Sequence, residues 1–306
     1  MVGKVFYKYR DISDRTENIL RNKKIWLAKP STLNDPYECM ISEFTQKERL
    51  NEITQSMGNQ LMGFIMTFKS SMKKGESVFG LSYKEMKRVL KRIEKVDKLE
   101  EKYKIANYIM KNKAGKSFSS PSSIIDSVDE ILDNAGVFSL SEDPLNKLMW
   151  SHYSLSHKGL ALGFEFESNS ILKNEEYFKP MNYNDEPLSF DLDNGRLVKH
   201  DYFYNENMQL DSKMSLQFKD SQLQQVFFTK TTEWAYEKEW RYIREKFGEY
   251  DFPTKLSQIV FGLNCSLENI NKITQLCNEC YDYKLNYFQV QRVDKSVDLR
   301  LEQLDF

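Results

Sequence analysis

Gly136-Val-Phe-Ser-Leu-Ser141 is the segment on which the fold turns, because its β-branched and aromatic residues read as a strand and the next thirty positions are regular. Glu142-Asp-Pro144 makes a turn, residues 145–153 (Leu-Asn-Lys-Leu-Met-Trp-Ser-His-Tyr) read as a short helix, and Leu160-Ala-Leu-Gly-Phe-Glu-Phe166 returns as a strand. This is a compact β-α-β signal. Upstream, Val5-Phe-Tyr-Lys-Tyr-Arg10 and Ile25-Trp-Leu-Ala28 read as strands, joined by a short helix through Leu20 that Asp11-Ile-Ser-Asp14 caps. Pro30-Ser-Thr-Leu-Asn-Asp-Pro36 is a loop, since proline lacks an amide donor and disfavours helix in the residue before it.

Between residues 46 and 113 the period changes. Leu50, Ile53, Met57, Leu61, Phe64, Ile65 and Phe68 lie on one helical face, and Tyr83, Met86, Leu90, Ile93 and Val96 repeat the pattern, with Lys and Glu elsewhere. Ser117-Phe-Ser-Ser-Pro-Ser-Ser123 closes this set of amphipathic helices with a loop. Further on, residues 167–204 carry turn formers between short strand-like pieces such as Phe178-Lys-Pro-Met-Asn-Tyr183. Residues 214–228 read as a helix with Leu216, Leu223 and Phe227 inward; 256–262 and 285–290 read as strands, and 266–277 as a helix capped by Ser266. Helices mix with antiparallel-looking strands without strict alternation, so the expected class is α+β. The expected organisation is one domain over 1–306, with a mainly helical insertion at 46–133.

The composition sets limits on function. With 40% hydrophobic and 29% charged residues over 306 positions, the chain folds around a sizeable core. Lys plus Arg is 44 against 45 Asp plus Glu, so overall charge does not steer it toward a polyanion or a membrane surface. No segment approaches the roughly 20 apolar residues of a spanning helix, and the N-terminus lacks a signal-peptide core, so the expectation is a cytoplasmic protein with no membrane partner. The four cysteines are too scattered for a disulfide scaffold, and Cys277-Asn-Glu-Cys280 lacks the further ligands of a zinc site.

The strongest chemical signal is Trp234-Ala-Tyr-Glu-Lys-Glu-Trp-Arg241. Taken as a strand, residues 234–243 sort by parity: Trp234, Tyr236, Trp240 and Tyr242 face one way, Glu237, Glu239, Arg241 and Ile243 the other. Two carboxylates on one face raise each other's pKa unless a cation intervenes, and Arg241 is placed to intervene. The competing reading is a helical turn in which Glu237 and Arg241 make an ordinary i,i+4 pair. A second group, Trp150-Ser-His-Tyr-Ser-Leu-Ser-His157-Lys-Gly159, holds two of the three histidines, and His152 or His157 could serve as an acid or base. A third, Asn34-Asp35-Pro36 with Glu38 nearby, is turn chemistry that could also orient a ligand. Walker, dinucleotide, His-Glu-x-x-His and calcium-loop motifs are absent from the sequence, as is a nucleophile elbow.

Taken together, Tyr7-Lys-Tyr-Arg10, Leu33-Asn-Asp-Pro36, Phe138-Ser-Leu-Ser141, Met149-Trp-Ser-His-Tyr153, His157-Lys-Gly159 and Trp234 to Arg241 resemble the bacterial domain-of-unknown-function family 2971. That family name implies no activity. A second resemblance, carried by Glu237-Lys-Glu239 and Arg10, is to ADP-ribosyltransferases. It implies an ADP-ribosyltransferase-like mixed or antiparallel sheet core, NAD as substrate, Glu239 as the catalytic carboxylate that stabilises the ribosyl oxocarbenium, and Glu237 as the group that orients or activates the acceptor. By the same resemblance Arg10 anchors the dinucleotide. Tyr9, Asn34, Asp35, Ser139, His152, Tyr153 and Arg241 complete the expected NAD site, with Ser139-Leu-Ser141 a loose match to the Ser-Thr-Ser strand of the arginine-modifying branch.

The expected acceptor is a protein, a nucleic acid, a small molecule or water, and a toxin or phage-defence effector of this type would have an antitoxin or regulatory protein as partner. The alternative is a non-catalytic ligand- or partner-binding module whose helical stretch faces the partner. A third reading, a nuclease using Asp35, Glu237 and Glu239 as Mg²⁺ ligands, is chemically open but lacks a basic run.

Overall fold

In the computed structural model the described residues are 3–35, 38–39, 46–186, 188, 197–206, 208 and 210–306. The first half of the chain runs β1 (Val5–Arg10), α1 (Asp14–Asn22), β2 (Lys24–Leu27), α2 (Gln46–Lys74), α3 (Tyr83–Glu94), α4 (Leu99–Ile109), α5 (Ser123–Asn134), β3 (Gly136–Ser141), α6 (Lys147–Tyr153) and β4 (Leu160–Glu165). Then come β5 (Phe178–Pro180), β6 (Asn182–Tyr183), β7 (Val198–Tyr204), β8 (Leu210–Leu216), α7 (Ser221–Phe228) and β9 (Thr229–Lys230). The chain ends with β10 (Glu239–Arg244), β11 (Gly248–Asp251), β12 (Leu256–Phe261), α8 (Leu267–Cys280), β13 (Asn286–Arg292) and β14 (Leu299–Leu304). The class is α+β. The chain divides into two compact units, one of Met1–Met40, Leu132–Pro187 and Gln224–Phe306, the other of Ile41–Ile131 and Leu188–Leu223. No helix among the described residues is long and apolar enough to cross a membrane.

The first unit is built on an eight-stranded sheet in the order β14-β13-β12-β4-β1-β3-β10-β5. Only β12 and β13 run parallel in it; the other neighbours are antiparallel. The β-α-β segment is present, but its two strands do not pair: β3 and β4 flank β1, which runs antiparallel to both. β1 and β4 are bonded over six positions, from Val5↔Glu165 to Arg10↔Leu160, whereas β1 and β3 meet only at Tyr7↔Ser141. The sheet therefore parts between β1 and β3 beyond that pair.

Alternation along β1 explains the two layers beside it. Phe6 joins Leu162, Phe164, Phe138 and the inner faces of α1 and α8 in the main core. Tyr7 and Tyr9 join Trp150 of α6 on the other side, the Tyr9 and Trp150 rings meeting edge-on at 4.9 Å. The link from α6 to β4 carries three successive residues with positive φ, Leu155, Ser156 and His157. It is held by Gly159, where a Cβ would lie 2.1 Å from the Arg10 carbonyl oxygen. His157 thus has a structural setting, its ring stacked 6.0 Å from Trp150. The four cysteines are free, with Cys277 buried in the core, and no group of metal-ligating side chains forms among the described residues.

The second unit packs α2, α3 and α4 around Leu61, Phe64, Phe68, Met86, Leu90 and Ile93. Two residues expected on buried faces are not buried: Leu50 is 62% exposed and Tyr83 51%, because each lies at a helix end beyond this core. The unit also takes in the antiparallel hairpin β7–β8. The helix expected at 214–228 is corrected by it. Leu216 is the last residue of β8, paired with Val198, and α7 starts only at Ser221, where Asp220 Oδ1 accepts from the amides of Gln222 (3.0 Å) and Leu223 (3.2 Å). A strand residue followed by a capped helix imitates one long period.

Candidate functional site

Where β1 and β3 part, a cavity of about 270 Å³ opens in the first unit. Lys8 bridges the gap, its ammonium donating to the Ser139 carbonyl at 2.9 Å, so a side chain replaces the missing backbone donor of the ladder. Burial and the nearby Arg10 press the Lys8 ammonium down to about 8, against the pull of Glu239 and Glu237.

The floor of the cavity is a buried charge network. Residues 234–238 are not a strand: Thr232–Glu237 is a 3-10 helix, Lys238 adopts the left-handed conformation at φ 45°, and only then does β10 begin. Strand alternation puts Glu239 and Arg241 on one face, and the turn at Lys238 brings Glu237 in beside them. Ser141 fixes that turn by donating to the Glu237 carbonyl at 2.7 Å, and the Glu239 amide donates to the Tyr183 hydroxyl at 2.8 Å.

Lys230 is the cation that reaches all three carboxylates of this cluster. Its ammonium, 3% exposed, lies 2.7 Å from Glu237, 3.3 Å from Glu239 and 3.5 Å from Glu38, with the Trp234 ring 4.6 Å away on a further side. Arg241, fully buried, donates to Glu239 at 2.9 Å, to the Phe227 carbonyl at 2.7 Å and to Glu38. The three carboxylates are thus matched by the two cations and Lys8. Burial works against the Lys230 charge, yet Glu239 and Glu237 outweigh it and hold its pKa above the ordinary lysine value. Burial alone brings Arg241 to about 9, which leaves it charged at neutral pH. Glu239 is pushed up by burial, against the pull of Lys230 and a bond from the Ser139 side chain.

Six of the residues expected at the site line this one cavity: Tyr9, Asn34, Ser139, Tyr153, Glu237 and Glu239. Tyr153 donates to Glu237 Oε1 at 2.7 Å and accepts from Asn34 Nδ2 at 2.8 Å, so α6 and the loop after β2 are tied to the carboxylates. Burial and that bond to Glu237 raise its phenol pKa, keeping it a donor. The Tyr9 hydroxyl is bonded to the Asp143 carbonyl. Arg241 sits behind the wall, bonded to Glu239. Three others fall elsewhere. Arg10 turns to Thr16, donating to its hydroxyl at 3.0 Å; His152 is exposed on α6; Asp35 is buried, and its carbonyl accepts from the Glu38 amide at 3.1 Å. Pro36 lies outside the described residues.

These elements lie partly in a recognised region. Residues 149–242 match the family described as Protein of unknown function (DUF2971). The DUF2971 match takes in Tyr153, Lys230, Glu237, Glu239 and Arg241, and leaves β1, Asn34, Glu38 and Ser139 to the rest of the chain. No curated protein and no solved structure matches the chain. Sequence reasoning missed Lys8, Glu38 as a buried partner, and Lys230. The signal for Lys230 was the demand itself, since clustered carboxylates need a cation within reach.

Proposed function

We propose that the protein consumes NAD as an ADP-ribosyltransferase-like enzyme, with Glu239 stabilising the ribosyl oxocarbenium and Glu237 directing the acceptor. The observation that carries this reading is the gathering of Glu237, Glu239, Ser139, Tyr153, Tyr9 and Asn34 on one cavity from five separate stretches of chain. An ADP-ribosyltransferase-like core belongs to the same proposal. The order β4-β1-β3-β10 sets the Arg10 strand, the Ser139 strand and the strand begun by Glu239 side by side, and the cavity opens between the first two.

Cleavage of the bond from ribose C1 to the nicotinamide nitrogen sends the electron pair to nicotinamide, which leaves neutral, and builds positive charge on the ribose. A fixed carboxylate in a water-poor cavity stabilises that charge, and Lys230 and Arg241 hold Glu239 in place for it. The acceptor, a group of a protein or a nucleic acid, then bonds to C1 and loses a proton toward Glu237; water attacking in its place passes its proton to bulk water. Loss of cellular NAD gives such a protein the character of a toxin or phage-defence effector, kept in check by an antitoxin or regulatory partner.

One observation favours the alternative, a binding module without turnover: both Glu239 oxygens are already engaged, one by Arg241 and one by Lys230. Purified protein incubated with NAD, with and without cell lysate, separates the two. Free nicotinamide that disappears in Glu239→Gln supports the enzyme; saturable NAD or other ligand binding with no nicotinamide in either condition supports the module.

A further inference from the structure

Charge along this chain is not evenly spread. Residues 84–116 hold twelve Lys or Arg and five Asp or Glu, a surplus of seven positive charges in a protein whose formal net charge is −1. The surplus is organised by α3. At 100° per residue, Lys84, Arg88, Lys91 and the C-cap Lys95 project from one side, with Lys87 and Arg92 on its flanks, and Met86, Leu90 and Ile93 are buried on the other. All six basic residues are exposed, and none is in an ion pair among the described residues. The stripe is roughly 16 Å long at the helical rise of 1.5 Å per residue.

Acidic neighbours do not cancel it. Glu85 is folded back on the helix start, accepting from the Ser82 amide and hydroxyl at 2.8 Å each. Glu94 is exposed toward the flank, and Glu100 is taken up by Lys104 at 2.8 Å. The Glu85 carboxyl is lowered first by Ser82, then by Lys113 and Arg88, which puts Lys113 of the turn after α4 within electrostatic reach of the first turn of α3. Lys111, Lys113 and Lys116 are also exposed, and so are the rings of Tyr83 and Tyr108.

We infer that the solvent face of α3, extended by the turn after α4, binds the phosphate backbone of a nucleic-acid strand. A row of exposed cations one helix face wide follows a chain of phosphates, and the adjacent tyrosines offer flat surfaces on which unpaired bases stack. A compact acidic site on a protein would not use a stripe of this length.

The test uses the full chain and a fluorescent single-stranded 20-nucleotide probe of mixed sequence, followed by polarisation across a salt series. Affinity should fall steeply with salt, and the quadruple variant Lys87→Glu, Arg88→Glu, Lys91→Glu, Lys95→Glu should bind about tenfold or more weakly with a shallower salt slope. A control variant, Lys158→Glu, Lys173→Glu, Lys284→Glu, should keep most of the affinity. Circular dichroism checks that each variant is folded. The inference is overturned by absence of binding at low salt, by equal losses in the two variants, or by binding to phosphatidylserine vesicles with none to the probe.

Discussion

Lys230 and Glu237 form a buried ion pair at 2.7 Å whose ammonium also reaches Glu239 at 3.3 Å, so one cation neutralises carboxylates delivered from both sides of the left-handed Lys238. Removing it leaves these glutamates buried with only Arg241, bonded to Glu239, and the more distant Lys8 to offset them. Lys230→Met should cost about 3–5 kcal/mol at neutral pH, read by denaturant unfolding. Burial already raises the Glu239 pKa, and a carboxyl raised in the folded state favours folding at low pH and loses that contribution as pH rises through the raised value. The deficit of the variant should therefore shrink on acidification from pH 7 toward pH 5. A deficit that stays constant would mean that the carboxylates do not need this cation.

Lys8 gives a window of opposite sense. Its pKa is pressed down to about 8, below the ordinary 10.5, so the unfolded chain holds more protons between those values. Stability then rises with pH across that window and is lost again as pH falls through 8. Comparing the wild type with Lys8→Met isolates the effect: the wild type should gain on the variant from pH 8 to 10. Parallel stability curves would place the ammonium in open solvent.

The two glutamates should be separable by their kinetics if NAD is consumed. Glu239→Gln keeps the shape but removes the charge that faces the ribose, and nicotinamide release should fall about 10²-fold or more. Glu237→Gln should retain release into water while losing transfer to an acceptor in lysate. Equal loss of both activities in both variants would leave no division of labour between them.

The central strands were readable because both their faces are buried: β1, β3, β4 and β12 are apolar enough that their spans agree with the sequence reading to within a residue or two. The edge strand β14 was missed, since Leu-Arg-Leu-Glu-Gln-Leu is half exposed and carries no turn signal strong enough to frame it. At the site, parity put Glu237 on the right face for the wrong reason. A strand through residue 238 was expected, and Lys238 instead turns the chain with a positive φ that its residue type does not announce. Lys230 and the buried pairing of Glu38 were invisible because a lone Lys or Glu belongs to the surface until its partners are known, and those partners lie up to 203 positions apart in sequence.

The most sensitive position outside the charge network is Gly159. A methyl group there would stand 2.1 Å from the Arg10 carbonyl and 2.6 Å from the Ser154 hydroxyl, and the first of these is backbone of β1 where it is paired with β4. The neighbour cannot move without breaking the β1–β4 ladder, and the turn before it is already committed to three positive φ values. Gly159→Ala should thus destabilise by about 3 kcal/mol or more, at the upper end of overpacking costs. The same change at Gly58, where nothing lies within 4 Å, should stabilise α2 by about 1 kcal/mol. Thermal melts of the two variants side by side check both signs. A Gly159→Ala protein as stable as the wild type would mean that β1 and the α6–β4 turn leave room for a methyl group between them.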